Sequence, residues 1–498
     1  MIPVPGFEGR RVAVFGLGRS GITAARALHA GGAIPVLWDD SVSGRMQAEA
    51  EGFTVEDLNR ADWSDFAALV LSPGAPLTHP KPHWTVDKAR AAGVEIIGDI
   101  ELFARAIAAL PEAQRPQVVA ITGTNGKSTT TALIGWVLKD NGFGPPVHVG
   151  GNIGIGVLAL PAPTPKSIYV IECSSYQLDL TTSFSPDVAI LTNVSPDHLD
   201  RHGDMVGYVS AKSRIFSNLR LDALAVVGVD EIWGEELAER LVGKGHRVIT
   251  VSTFPEAELA EQLTSELAEQ RGRGWFPATW AGSSEIFGSP SSGQIVLANR
   301  KLFKDGKFIL DLAEADSLPG RHNAQNAAFA WATGMVFSWY KYVGNNILSF
   351  PGLAHRMEHV GTLGRVRFIN DSKATNADAA RQALSSYDRS FWIAGGRAKA
   401  GGIDDLEDLF PRVVEAFLIG ESAGPFAARL GETPHRISGD MATAVKAAYE
   451  AAAATGREEV VLLSPAAASF DQFPDFEVRG EAFRAAVLNL GATPSGHG

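Results

Sequence analysis

The 498-residue sequence contains one cysteine, Cys173. A lone thiol excludes any disulfide within the chain, as expected for a reducing compartment. Long apolar runs are also missing: no uncharged stretch approaches the ~18 residues that a membrane span needs. The opening segment, MIPVPGFEGRRVAVFG, has neither a continuous apolar stretch nor a small-residue cleavage site, so no secretory leader is expected. Positive charge is in deficit, with Lys+Arg 44 against Asp+Glu 56 and a net charge of −12. That balance argues against wholesale nucleic-acid binding but leaves local anion sites open. What remains is ordinary globular composition, 45% hydrophobic and 20% charged, which excludes a disordered or fibrous chain. Glycine is in excess at 52 residues, above the usual ~7%. With no collagen period, it belongs in tight turns and phosphate loops. The expectation is a cytoplasmic α/β protein of roughly three domains.

Short β-branched runs alternate with Ala-rich helical stretches, the pattern of parallel sheets covered by helices. The strands expected are 11–16, 67–72, 117–123, 167–173, 187–194, 366–371, 390–396, 416–420 and 460–464. Each is followed by Gly, Ser, Asn or Asp and then by a helical stretch, and ligands sit at such carboxyl ends of strands. Boundaries are read at LPEAQRPQ (110–117) and SFPGLAHR (349–356), giving units 1–110, 111–350 and 351–498. The polar patch at 281–294 reads as a surface loop or hairpin insertion. The last residues, ATPSGHG, read as a frayed tail.

Gly16-Leu17-Gly18-Arg19-Ser20-Gly21 follows the first strand and opens a helix, with Asp39 and Asp40 about twenty residues on. This fits G-x-G-x-x-G, in which glycines let the backbone approach a diphosphate at a helix N-terminus. A turn that merely packs helix on strand fits it as well. The stronger signal is Gly123-Thr124-Asn125-Gly126-Lys127-Ser128-Thr129, between a strand and a helix. Its backbone N–H groups suit phosphates, Lys127 supplies a charge, and Ser128 or Thr129 offers a hydroxyl to Mg²⁺. Only Thr124-Asn125 separate Gly123 from Gly126-Lys127, two residues fewer than the standard phosphate loop. ATP binding is expected here.

Glu172 ends one strand of the same unit, and His198 follows another in TNVSPDHLD. A carboxylate and an imidazole suit a divalent metal beside ATP phosphates. Either could equally be structural alone. Lys212, in YVSAKSRIF, reads by pattern as a solvated lysine. Two donor-rich strand-end loops, Asn370-Asp371-Ser372-Lys373-Ala374-Thr375-Asn376 and Gly395-Gly396-Arg397-Ala398-Lys399, suit anions, although many surface loops have that composition.

Taken together, TGTNGKST, ECSSYQL, TNVSPDHLDRHG, RHNAQN, HRME and NDSKATN resemble the Mur ligases of peptidoglycan precursor synthesis, over almost the whole chain. NDSKATN and SPAAASFDQF point to the branch that adds D-glutamate. The resemblance implies a Rossmann-like N-terminal unit binding a UDP-sugar, a central P-loop ATPase and a Rossmann-like C-terminal unit receiving the amino acid. The implied substrates are UDP-N-acetylmuramoyl-L-alanine, D-glutamate and ATP, joined through an acyl phosphate by a monomeric enzyme. Gly16, Leu17, Gly18, Arg19 and Ser20 would hold the UDP diphosphate, Asp39 would face the uracil, and Ser72, Pro73, Gly74 and Asn152 would complete that site. Lys127 would hold the β/γ-phosphates, and Ser128 and Glu172 one Mg²⁺. His198 and Lys212, the latter as a carbamate, would serve a second Mg²⁺. Asn323, Asn326 and Arg356 would contact the nucleotide, with Asp371 near its ribose and Lys373 near the transferred phosphoryl group. Thr375, Lys399, Ser469 and Phe476 would receive D-glutamate.

Arg397 and Asp40 depart from the residues usual at their positions in that family. The competing readings are a folylpolyglutamate-type ligase, an NAD-dependent oxidoreductase built on the first glycine loop, and a P-loop switch without ligase activity.

Overall fold

The computed structural model describes residues 1–139, 144–253, 293–298, 300–315, 317–337, 340–399 and 401–495. It contains three sheets, mostly parallel, flanked by helices. The first is built from β1 (Arg11–Phe15), β2 (Ile34–Trp38), β3 (Thr54–Val55), β4 (Phe66–Leu71) and β5 (Glu95–Ile97), all parallel in the order β3-β2-β1-β4-β5. The order reverses between β1 and β4, so the loops after those strands flank one crevice, the usual ligand position in an open α/β sheet.

The second sheet comprises β6 (Gln117–Thr122), β7 (Val147–Gly151), β8 (Ile168–Glu172), β9 (Val188–Leu191), β10 (Leu224–Gly228), β11 (Arg247–Thr253), β12 (Gly293–Ala298), β13 (Lys301–Lys304) and β14 (Lys307–Asp311). Its order is β14-β13-β12-β11-β10-β9-β6-β8-β7, with antiparallel pairing only among β12, β13 and β14. β8 and β9 are buried along their whole length. That is why they read as continuous apolar runs rather than as alternations. These two sheets lie in one compact unit, Met1–Leu312 with Ala324–Ile347. They share a core in which Phe103 from the first part packs on Tyr169 of β8.

The other unit is Ala313–Asn323 with Leu348–Gly498. Its sheet contains β15 (Glu358–Leu363), β16 (Val366–Asn370), β17 (Ser390–Gly395), β18 (Val413–Ile419), β19 (His435–Gly439), β20 (Glu459–Leu463) and β21 (Thr493–Pro494), in the order β19-β18-β17-β20-β16-β15-β21. Separate apolar clusters cover its two faces.

Every expected strand is present, most within a residue or two of its expected bounds. Strands β10 (LAVVG) and β11 (RVITVST) are among those not expected from the sequence. The expected frayed tail is overturned for 493–495: Thr493 and Pro494 pair antiparallel with Thr362 and Gly361, and Ser495 N–H donates to the Val360 carbonyl, while 496–498 lie outside the described residues. Of the polar patch at 281–294, residues 281–292 lie outside the described residues, and Gly293 and Gln294 begin β12. Among the described residues no helix is long and apolar enough to cross a membrane.

Candidate active site

Parallel register brings the central motifs to one edge. Ile121 pairs with Glu172 and Thr122 with Leu191, so the loop after β6, the end of β8 and the loop after β9 emerge side by side. Gly123 has φ +147°, and a Cβ there would stand 1.9 Å from Thr192 Oγ1. Gly126 is left-handed at φ +78°, with space for a Cβ denied by Asn326 Oδ1 at 2.5 Å. No other residue type fits either place. The helix Lys127–Leu138 starts directly after it, so the partial positive charge of its N-terminus faces whatever the loop holds.

The loop after β9 braces this one. Asn193 Oδ1 accepts the Asn125 N–H at 2.8 Å, Asn193 N–H₂ donates to the Asn125 carbonyl at 3.2 Å, and Thr192 Oγ–H donates to it at 2.7 Å. The Ser195 N–H donates to Thr124 Oγ1 at 3.1 Å. Asn326 is buried and lies 3.0 Å from the Thr130 hydroxyl. Lys127 Nζ donates to the Thr124 carbonyl at 2.8 Å. Ser128 is half-buried and Thr129 buried on the same first turn.

Glu172 is 1% exposed. Oε1 accepts from Asn152 Nδ2 at 2.8 Å, while Oε2 is buried with no hydrogen-bond partner among the described residues. A buried carboxyl oxygen without a partner calls for a cation or a donor. His198 lies on the neighbouring loop, half-exposed, with left-handed φ of +54° and Nε2 3.3 Å from Asp197 Oδ2.

Lys212 is not the solvated residue its pattern suggests. Its helix, Met205–Ser213, buries Tyr208, Val209, Ala211 and Lys212. The lysine is 2% exposed, with Nζ donating to the Gly123 carbonyl at 2.6 Å and lying 4.4 Å from the Tyr208 ring centre. Burial, then the charge of Lys127, push its ammonium well below the usual lysine range, against the opposing pull of Asp197 and Glu172. The signal that could have revealed this is the Tyr208/Lys212 pair at i, i+4, which places both on one face.

At the first sheet's crevice, Gly16 (φ +87°) passes so close to β4 that a Cβ would stand 2.4 Å from Ser72 Cβ. Gly18 precedes the helix Arg19–Ala30. Ser20 hydrogen-bonds the buried Asp99, which also accepts from Gln177. Both Asp39 oxygens accept backbone N–H groups, of Leu17 at 2.5 Å and of Ser41 at 2.7 Å. Asp40 is exposed and faces His83. Arg201, not singled out from sequence, donates to the carbonyls of Gly74 (3.0 Å) and Pro73 (3.3 Å).

In the other unit Asp371, Lys373 and Thr375 leave the end of β16. Burial pushes the Asp371 carboxyl up to about 7, with Arg356 and the Ser464 hydroxyl pulling the other way. Lys373 Nζ stands 3.9 Å over the Phe476 ring. Ser469 is buried and Lys399 exposed, and their loops are joined by the reciprocal backbone pairing of Arg397 with Ala468. Arg397 itself pairs at the surface with Glu421 at 2.9 Å. Asn323 Nδ2 donates to the Pro319 carbonyl. A further residue missed by sequence reasoning is Arg479: fully buried, it donates to the Ser372 hydroxyl and to the carbonyls of Ser372 and Ala467. Burial pushes its guanidinium down to about 10. An arginine in an unremarkable amphipathic helix gives no such warning.

Fold and site together define an α/β protein with a P-loop whose central sheet ends in a buried carboxylate beside the phosphate loop. Two family descriptions match it: Mur ligase middle domain over residues 121–334, and Mur ligase, glutamate ligase domain over 355–467. The chain belongs to the Mur ligase family. It is 55% identical over 493 residues, 99% of this chain and 98% of the other, to UDP-N-acetylmuramoylalanine--D-glutamate ligase of Caulobacter sp. (strain K31). The protein of that name from Nitrobacter hamburgensis is 48% identical over 99% of this chain and its own full length. Among solved structures, the fold matches MurF ligase from Thermotoga maritima in complex with ADP (TM-score 0.54, 14% identity, 98% of this chain and 99% of that one). It also matches MurF from Acinetobacter baumannii (TM-score 0.52, 16% identity, 96% and 91%).

Proposed function

We propose that this chain joins D-glutamate to UDP-N-acetylmuramoyl-L-alanine, converting ATP to ADP and phosphate, in peptidoglycan precursor synthesis. The observation that carries this reading is full-length identity of about half with relatives named for that ligation. In the reaction, a carboxylate oxygen of the muramoyl-alanine attacks the γ-phosphorus, and ADP leaves with the bridging oxygen. The D-glutamate amine then attacks the acyl carbon, loses a proton and expels phosphate, leaving an amide.

The phosphate loop would receive the β/γ-phosphates on its N–H groups, with Lys127 supplying charge where it develops in the transition state. The bare Glu172 oxygen fits a divalent cation, and Ser128 would share it. His198 and Lys212 would serve a second. Mg²⁺ there would neutralise phosphate charge. Among the described residues no three His, Cys, Asp or Glu side chains could hold a metal by themselves, so such a cation draws on Ser128, water and phosphates as well. The depressed Lys212 favours the neutral amine that CO₂ requires. A carbamate nitrogen keeps one N–H, which can go on donating to the Gly123 carbonyl. Asn323, Asn326, Arg356 and Asp371 serve the nucleotide in this reading, and Lys373 the transferred phosphoryl group. Thr375, Lys399, Ser469 and Phe476 receive D-glutamate, while Gly16–Ser20, Asp39, Ser72–Gly74 and Asn152 receive the UDP-sugar. The division 1–110, 111–350 and 351–498 follows these three ligands. One chain supplies every residue named, so a monomer suffices, and the substrates suit a cytoplasmic enzyme.

A coupled phosphate-release assay with UDP-N-acetylmuramoyl-L-alanine, ATP and each candidate amino acid tests this. D-glutamate should support turnover and L-glutamate should not. Phosphate release independent of the amino acid would overturn it.

A further inference from the structure

We infer that Arg201 is a positioning residue that sets the loop Ser72–Gly74, and with it the UDP-linked substrate, against His198. The inference rests on the function proposed above. Its basis is the short turn Leu199–His202, which is bracketed from two sides. On one side the Arg201 guanidinium forks across two successive carbonyls of the loop after β4, Gly74 at 3.0 Å and Pro73 at 3.3 Å. On the other, His202 Nε2 lies 3.0 Å from Ser175 Oγ and Nδ1 lies 3.3 Å from Asp179 Oδ2. Ser175 is buried, so this Ser-His-Asp arrangement anchors the turn instead of presenting a nucleophile.

Tyr176 fills the space between. Its ring lies 4.5 Å from the Arg201 guanidinium, stacks on His202 at 5.4 Å and meets His198 at 5.0 Å. The backbone N–H groups of Arg201 and His202 both donate to the His198 carbonyl, at 3.0 and 3.2 Å. They close the turn that holds His198 at its left-handed φ. Displacing Arg201 therefore loosens the Ser72–Gly74 loop and His198 relative to each other. Arg201 Nε is buried without a partner among the described residues, so the fork is placed for the loop at the expense of its own satisfaction.

Arg201→Lys and Arg201→Ala test this in the full-length enzyme. A lysine is a point donor and cannot fork to both carbonyls. The KM for UDP-N-acetylmuramoyl-L-alanine should rise about tenfold in the alanine variant, the scale for a lost charged hydrogen bond, and by less in the lysine variant. Affinity for ATP by calorimetry should stay within about twofold, because the phosphate loop is braced by Asn193 and not by this turn. Amide exchange at Ala75, whose N–H donates to the Ser72 carbonyl, should quicken in both variants while Asn125 stays protected. If KM for all substrates moves together, or if Ala75 exchange is unchanged in the lysine variant, the positioning role is wrong. Wild-type enzyme inactive with D-glutamate would count against the proposed reaction alone, since the exchange measurement needs no substrate.

Discussion

Asn152 holds one oxygen of Glu172 at 2.8 Å and leaves the other buried and, among the described residues, unpaired. The amide orients the carboxylate from β7's end; in the proposed reading the bare oxygen would meet the cation. Glu172→Gln keeps the shape and removes the charge. It should reduce turnover by ~10²-fold or more, the scale of one lost electrostatic contact to a transition state, with melting temperature little changed. Asn152→Ala should instead raise the Mg²⁺ concentration needed for half-maximal rate. A magnesium titration of both variants separates the two effects.

Lys127→Ala removes the point charge from the phosphate loop. The expected loss is ~3–4 kcal/mol of transition-state stabilisation, or ~10²–10³ in kcat. Steady-state kinetics near wild-type values would show that the loop does not handle the transferred phosphoryl group.

Lys212→Ala should be nearly inactive, with acetate restoring part of the rate by filling the vacated position. Lys212→Arg should be no better, because a guanidinium cannot become an anionic oxygen ligand. Intact protein mass at alkaline pH with bicarbonate, or electron density at Nζ, reports the carbamate independently of activity. Full activity of the arginine variant rules the carbamate out.

Burial and the neighbouring Asp230 push Glu231 up to about 7 from 4.5. A carboxyl with a raised folded value binds its proton more tightly in the fold than in the unfolded chain. Stability from it is therefore full below about 4.5 and is lost as pH rises towards 7. Glu231→Gln should leave the melting temperature nearly unchanged at pH 5 and raise it at pH 8. Thermal melts at the two pH values check the sign.

The first glycine loop should bind a UDP-sugar and not NAD. Both Asp39 oxygens are already engaged with the Leu17 and Ser41 N–H groups, whereas a nicotinamide fold offers its acid to a ribose hydroxyl pair. Calorimetry with UDP-N-acetylmuramoyl-L-alanine and with NAD should give heat only for the first.

The strands and glycine loops were legible because parallel sheets write apolar runs, and left-handed turns demand glycine at fixed places. Gly123, Gly126 and Gly16 each sit where a Cβ would collide with a neighbouring element. Burial of charged residues was not legible. Lys212 and Arg479 lie in helices, and what removes them from water is contact with other segments, Gly123 for one and Ser372 with Ala467 for the other. Arg201 escaped notice for the same reason: its partners, Pro73 and Gly74, lie more than 120 residues away and use only backbone carbonyls.

The pairing of Thr493 and Pro494 with β15 also bears on solubility. An outermost strand with free N–H groups is a template for adding another chain. Here the outermost position is taken by a two-residue strand whose second member is proline, which has no N–H to donate. Removing residues from Thr493 onward would strip the partner from Gly361 and Thr362 and leave the outer side of Glu358–Leu363, still paired with β16 on its inner side, with no strand beside it. Protein shortened there should self-associate with rising concentration, visible by light scattering, and a solubility tag is better carried at the other end of the chain.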